Sequence, residues 1–329
     1  MLKRAAILSF SDRGAALAAR IAKGLEDWNV ECRAPRGDLA AQAAELFSSC
    51  DALIFVGACG IAVRAIAPMV SAKTSDPAVI VVDELGRHAI ALLSGHIGGA
   101  NALARRVAGF IGGEAVITTA TDVNGRFSAD EWAAQHGLRI PDMAAAKRFS
   151  AEILRRDLPI CSDFPIAGAL PEGVCLGEGG PVGAAISCGY RTPFAVTLPL
   201  VPPILHLGLG CKRGTSGAAV RAAVEAALSE ANLRPEAVKA AASIDIKRDE
   251  KGLRALNLPI RFYSAEELRA VPGEFSASEF VLRTVGVDNV CERAAMRSAG
   301  RGAVLLVSKR GANGVTVAVA REEWSVCFG

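Results

Sequence analysis

The sequence predicts an α/β protein: a three-layer α/β/α amino-terminal domain with a mainly parallel sheet, a small middle domain, and a second α/β domain at the carboxyl terminus. Three observations carry this. Short apolar runs alternate with segments of helical periodicity, several of those runs end in polar, glycine-bearing turns, and 329 residues exceed one average domain.

Residues 5–10 read as a short buried strand, and Leu17, Ile21 and Leu25 stripe the helix expected over 14–26. The run 52–56 leads through Gly57 into a helical stretch over 61–66, and the run 78–82 leads into Asp83-Glu84. Such strand–helix alternation favours a parallel sheet covered on both faces. A further run, 89–93, meets Ser94-Gly95-His96-Ile97-Gly98-Gly99 before a helix over 101–110 striped by Leu103, Val107 and Phe110. From about Asn124 the texture changes to helical pieces over 128–135 and 143–155 and then to β-like runs broken by Pro and Gly. Pro199-Leu200-Val201-Pro202-Pro203 reads as a linker. The third domain opens on 204–208, turns through Gly210-Cys211-Lys212-Arg213-Gly214-Thr215-Ser216 into a helix carrying Val220, Val224 and Leu228, and closes on strands over 303–307 and 315–319. The expected domains are therefore 1–123, 124–202 and 203–329.

With 51% hydrophobic and 22% charged residues the chain has the composition of a soluble globular protein, and 37 Lys+Arg against 34 Asp+Glu leaves a formal charge of only +3. That balance, with no long basic tract, speaks against nucleic acid as a partner but leaves room for an anionic small molecule. The opening apolar run is too short for a signal peptide, and no stretch of about 18 apolar residues could span a bilayer. Nine scattered cysteines without a C-x-x-C pair argue against a metal cluster or a disulfide framework and favour the reducing cytoplasm.

Two glycine turns hold most of the candidate chemistry. In Ser94-Gly95-His96-Ile97-Gly98-Gly99-Ala100-Asn101, His96 stands among residues too small to cover it, where it can serve as acid or base near neutral pH; the plainer alternative is a histidine that fixes the turn. In Gly208-Leu209-Gly210-Cys211-Lys212-Arg213-Gly214, a strand gives way to a helix, a junction that suits an anion, and Lys212 and Arg213 add donors for carboxylates. Its spacing is neither a Walker A nor a G-x-G-x-x-G fingerprint. In a doubly wound sheet the residues just past the strand ends line the crevice, so Asp83, Glu84, Thr119, Thr121 and Asp122 are expected to converge with His96. Their alternative role is capping. Asp245 and Lys247 follow another strand of the last domain. Ser264-Ala265-Glu266-Glu267 is read as a helix start, and His206, inside an apolar run, as a packed residue.

These segments match a known family. Residues 60–68 (GIAVRAIAP), 73–79 (KTSDPAV), 82–84 (VDE), 92–101 (LLSGHIGGAN) and 117–122 (ITTATD) closely resemble, in order, the amino-terminal region of the CbiG family. Residues 208–214 (GLGCKRG), 242–247 (ASIDIK) and 262–268 (FYSAEEL) are similar to the domain that CbiG shares with CobE. The middle stretch, roughly 124–202, is the least distinctive. The resemblance implies hydrolysis of the ring A acetate lactone of cobalt-precorrin-5A to cobalt-precorrin-5B, with release of acetaldehyde, in anaerobic cobalamin synthesis. It implies a substrate that brings its own cobalt, and hence no metal site and no separate cofactor on the protein. The expected catalytic residues are His96, Asp83, Glu84 and Asp122. Expected substrate contacts are Arg64, Lys73, Ser94, Gly95, Gly98, Asn101, Thr119 and Thr121, with Gly210, Lys212, Arg213, Asp245 and Lys247 in the last domain. Neighbouring enzymes of the pathway and a second copy of the chain are the partners to consider. A non-catalytic carrier of the same tetrapyrrole is the competing reading.

Overall fold

The computed structural model describes residues 2–72 and 75–328, and the chain divides into two compact units, Met1–Gln135 and His136–Gly329. The first contains β1 (Lys3–Ser9), α1 (Asp12–Lys23), β2 (Trp28–Arg33), α2 (Leu39–Ser49), β3 (Ala52–Val56), α3 (Cys59–Ile66), β4 (Ala78–Val82), β5 (His88–Leu93), α4 (Ala100–Ile111), β6 (Glu114–Val116), α5 (Ala120–Val123) and α6 (Ala129–Gln135). Its six strands form one sheet in the order β2-β1-β3-β4-β5-β6.

Alternation along the strands builds three layers. Ile7, Ile54 and Ile80 face the apolar stripes of α1 (Leu17, Ile21) and α4 (Leu103, Val107), while Leu8, Leu53, Phe55 and Val81 face α2 and α3 through Leu46, Ala62 and Ile66. Each fully buried Leu, Ile or Phe contributes about 1.5–3 kcal/mol. Helix starts are fixed locally: Ser11 Oγ caps α1 by accepting from Gly14 N at 3.1 Å, and Asp38 caps α2.

Two strands depart from the parallel order of the others. β1, β2, β3 and β4 run the same way, but β5 is antiparallel to β4, with Val82 opposite Ala89 and Val79 opposite Leu93, and β6 follows β5. The five residues 83–87 are too few for a crossover helix and close a hairpin instead, with Gly86 at φ +68°. The carboxyl ends of β5 and β6 therefore lie at the edge where β4 begins, opposite the edge reached by Asp83 and Glu84.

The second unit contains α7 (Met143–Ile153), β7 (Leu158–Ser162), β8 (Ile166–Ala167), β9 (Val174–Leu176), β10 (Val182–Ile186), β11 (Val196–Leu200), β12 (Leu205–Cys211), α8 (Gly217–Glu230), β13 (Val238–Ile244), α9 (Lys251–Arg254), β14 (Ile260–Tyr263), α10 (Ala265–Arg269), α11 (Glu279–Val285), α12 (Cys291–Ala299), β15 (Val304–Ala312), β16 (Val315–Arg321) and β17 (Val326–Cys327). A parallel four-stranded sheet, β11-β10-β7-β9, precedes a mixed five-stranded sheet, β14-β13-β12-β16-β15. The supposed linker is structured: Pro199 lies in the edge strand β11, where a missing N–H is tolerated, and Leu200 and Val201 are fully buried. The chain end returns to this region, since β17 pairs with β8 and Trp324 packs edge-on against Phe164. Among the described residues no helix is long and apolar enough to cross a membrane.

Candidate functional site

The loop from β5 to α4 is set by backbone geometry. Ser94 (φ +57°) and Gly99 (φ +84°) both take left-handed conformations, and the loop closes by Ala100 N donating to Ser94 O and Asn101 N to Gly95 O. A Cβ at Gly98 would lie 2.4 Å from Ser94 Cβ, and one at Gly95 would lie 2.7 Å from Asn101 Oδ1, so neither position has room for a side chain. Gly95 and Gly98 thus shape the turn that presents His96. Ser94 is buried, and its hydroxyl has no hydrogen-bond partner among the described residues.

His96 is held from both sides. Its Nε2 lies 2.9 Å from Asp122 Oδ2 and 3.3 Å from Thr121 Oγ1; its Nδ1 lies 3.1 Å from Ser128 Oγ and 3.2 Å from Asp130 Oδ1. Buried Asn101 donates from Nδ2 to Asp122 Oδ2 and to Thr119 Oγ1, each at 3.0 Å. Arg105 pairs with Asp122 and reaches Glu131 at 3.5 Å, while Glu131 Oε2 stands 4.0 Å from His96 Nε2. Burial alone would lower the His96 pKa, but Asp130, Asp122 and Glu131 outweigh it and push it up to about 9. At neutral pH His96 is therefore an imidazolium donating from both nitrogens. Burial, with Asp122 nearby, raises Glu131 above the usual carboxylate range against the pull of His96 and Arg105.

A cavity of about 330 Å³ opens beside this cluster, bounded by His96, Gly98, Gly99, Glu131, Trp28 and Arg106. Ligand atoms of His96, Asp122 and Glu131 lie within 4.8 Å of one another, a spacing that one divalent ion could bridge. Arg105, paired with Asp122 and 3.5 Å from Glu131, already supplies positive charge there, and the cluster reads as an ion-pair network.

Of the residues expected in this crevice, His96, Asn101, Thr119, Thr121 and Asp122 come together. Asp83 and Glu84 do not, because the reversal of β5 puts them at the other sheet edge. Asp83 instead accepts from Leu85 N at 2.9 Å and His88 N at 2.5 Å; burial raises its pKa, and backbone donors from His88, Arg87 and Leu85 hold the carboxyl below its ordinary value. Glu84 bonds Ser11 Oγ. Arg64 is exposed and donates to Gly60 O within its own helix. Lys73 lies outside the described residues. Sequence reasoning missed Arg105, Ser128, Asp130 and Glu131. Ser128-Ala129-Asp130-Glu131 has the S-x-x-E form of a helix start, which conceals the approach of its polar groups to His96.

In the second unit a groove of about 700 Å³ is lined by Lys212, Arg213, Lys247 and Lys309 together with apolar Ile246 and Val285. Gly210 lies against Thr316, where a Cβ would be 2.5 Å from its Oγ1. The expected backbone anion site is already used: Gly214 N donates to Glu250 Oε2 at 3.0 Å, Lys212 N donates to Gly314 O, and Ser216 Oγ caps α8. The cationic side chains are what remain for a ligand, although Lys247 also pairs with Glu250 at 3.1 Å. Asp245 is apart from the lining residues and accepts from Ile246 N.

Parts of both sites fall within the matches to one family. Residues 41–122 match the model described as cobalamin synthesis G N-terminal, and residues 205–320 match cobalamin synthesis G C-terminus. The chain belongs to the CbiG family. It is 38% identical over 279 residues to the cobalt-precorrin-5A hydrolase of Salmonella typhimurium, covering 79% of each chain. It is 31% identical over 303 residues to the cobalt-precorrin-5A hydrolase of Priestia megaterium, covering 84% of this chain and 79% of that one. Protein CobE of Sinorhizobium matches 35% of this chain and 79% of its own length at 37% identity. In this CbiG chain His96 and Asp122 lie inside the first matched segment, while Ser128, Asp130 and Glu131 lie just past its end.

Proposed function

We propose that this chain is a cobalt-precorrin-5A hydrolase of cobalamin synthesis that works in the cytoplasm, opens the ring A acetate lactone and releases the two-carbon unit as acetaldehyde. The observation that carries the reading is the pair His96 and Glu131 on a cavity wall, with Asp122 bonded to His96, in a chain 38% identical to a protein of that name. Lactone opening needs a base to take a proton from water and positive charge to stabilise the oxyanion, and this cluster offers carboxylates, an imidazolium and Arg105. Once the lactone C–O bond breaks, the freed alkoxide can become an aldehyde while the electron pair of the adjacent C–C bond enters the conjugated macrocycle. No separate cofactor is then required. The cationic groove of the second unit, with its apolar walls, suits the acidic arms and flat body of such a substrate.

Purified protein given cobalt-precorrin-5A should release acetaldehyde without nucleotide, flavin or nicotinamide. Acetaldehyde that appears only when a second protein is added would replace this reading by that of a tetrapyrrole carrier.

A further inference from the structure

We propose that Glu131 is the general base of the reaction and that His96 is a fixed positive charge beside it; this rests on the hydrolase reading above. Three carboxylates surround His96, and the structure separates their roles. Asp122 is committed to His96 Nε2, Asn101 and Arg105. Asp130, 5% exposed, is committed to His96 Nδ1 and accepts from Ser128 Oγ at 2.9 Å. Neither lines the cavity, whereas Glu131 does, together with His96. Glu131 Oε1 accepts from Gln135 Nε2 at 3.3 Å and faces Arg105, while Oε2 stands beyond hydrogen-bonding reach of His96 Nε2 at 4.0 Å. A base must hold an accessible lone pair, and an imidazole bonded to carboxylates through both nitrogens has none to offer.

In the step assigned to it, Glu131 takes a proton from water as the water oxygen bonds to the lactone carbonyl carbon. The tetrahedral intermediate breaks its C–O bond and the leaving oxygen departs as an alkoxide; as that alkoxide becomes the aldehyde, the electron pair of the broken C–C bond enters the macrocycle, which receives the proton held by Glu131. One water is consumed and nothing is oxidised or reduced. The charged groups that face Glu131 are His96, Asp122, Asp130 and Arg105, and Lys3, Asp27 and Arg106 stand on the remaining cavity wall. Burial and Asp122 keep the carboxyl above its ordinary range, which makes it a stronger base than an exposed glutamate.

The test uses the full-length protein with cobalt-precorrin-5A, comparing wild type, Glu131→Gln, Glu131→Asp and Glu131→Ala by kcat, KM and melting temperature. The glutamine variant should keep KM within a few-fold and lose about 10²–10⁴-fold in kcat. Its residual rate should lack the acidic limb expected of the wild-type kcat–pH profile. Glu131→Asp should recover part of the loss, and added formate should restore turnover to Glu131→Ala, which a purely structural carboxylate would not allow. A folded glutamine variant that keeps a tenth or more of wild-type kcat, or an alanine variant indifferent to formate, overturns the assignment alone. Wild-type protein that binds the substrate yet yields no acetaldehyde overturns the hydrolase reading and the assignment with it.

Discussion

His96 shows how neighbours decide what a side chain can do. Its ordinary pKa of 6.5 would make it a base at neutral pH, but the carboxylates on both ring nitrogens push it up to about 9. The raised value has a consequence for stability. Protonation is favoured in the folded chain, so the contribution is complete below about pH 6.5 and is lost as pH rises through about 9. Melting temperatures of wild type and His96→Gln, followed from about pH 6 to about pH 10, should show the wild-type advantage shrinking with rising pH. A difference between the two that stays constant over that range would mean that His96 is not charged in the folded protein. At this scale the sequence was partly legible. His96, Asn101, Thr119, Thr121 and Asp122 could be picked out because each follows an apolar run beside small residues, and His206 proved packed as expected, bonded to Ser298 and Glu322. Asp130 and Glu131 were hidden by chemistry that a helix start uses equally well.

At the scale of elements, local rules held and pairing direction did not. The Ser264–Glu267 capping box forms as its spacing predicts, and the helical stripes over 14–26, 101–110 and 143–155 became α1, α4 and α7 with small shifts at their ends. What apolar runs cannot state is which way a strand runs, and one reversal at β5 moved Asp83 and Glu84 out of the crevice. The residue count between 82 and 88 held that information, since a parallel return needs a dozen residues or more. The turn after β12 was misjudged for a similar reason: its glycine amide is satisfied by Glu250, a partner distant in sequence. Binding there should accordingly depend on side-chain charge. Lys212→Ala combined with Arg213→Ala should weaken substrate binding without lowering the melting temperature, and the loss should shrink in high salt because exposed charges are screened. Equal affinity of this double variant and wild type at low salt would remove the groove from the model.

For the molecule as a whole, the two compact units each hold one of the two candidate features. Residues 1–135 hold their own six-stranded sheet, two cores and the His96 cluster; residues 136–329 hold a four-stranded, a five-stranded and a two-stranded sheet and the cationic groove. The second cannot be cut at 203, because β17 and Trp324 dock on residues near 164–167, and removing 136–202 would expose that surface. If chemistry resides in the first unit and the second grips acidic arms, separate expression should divide the activity in a defined way. Unit 136–329 should bind the tetrapyrrole with strong salt dependence and release no acetaldehyde. Unit 1–135 should turn over slowly with a KM raised about tenfold or more, because binding energy from remote contacts is lost, and Glu131→Gln should abolish that residual rate. Acetaldehyde formed by 136–329 alone would move the reacting carbon to the groove and leave His96 and Glu131 as an ion-pair network that only stabilises the fold.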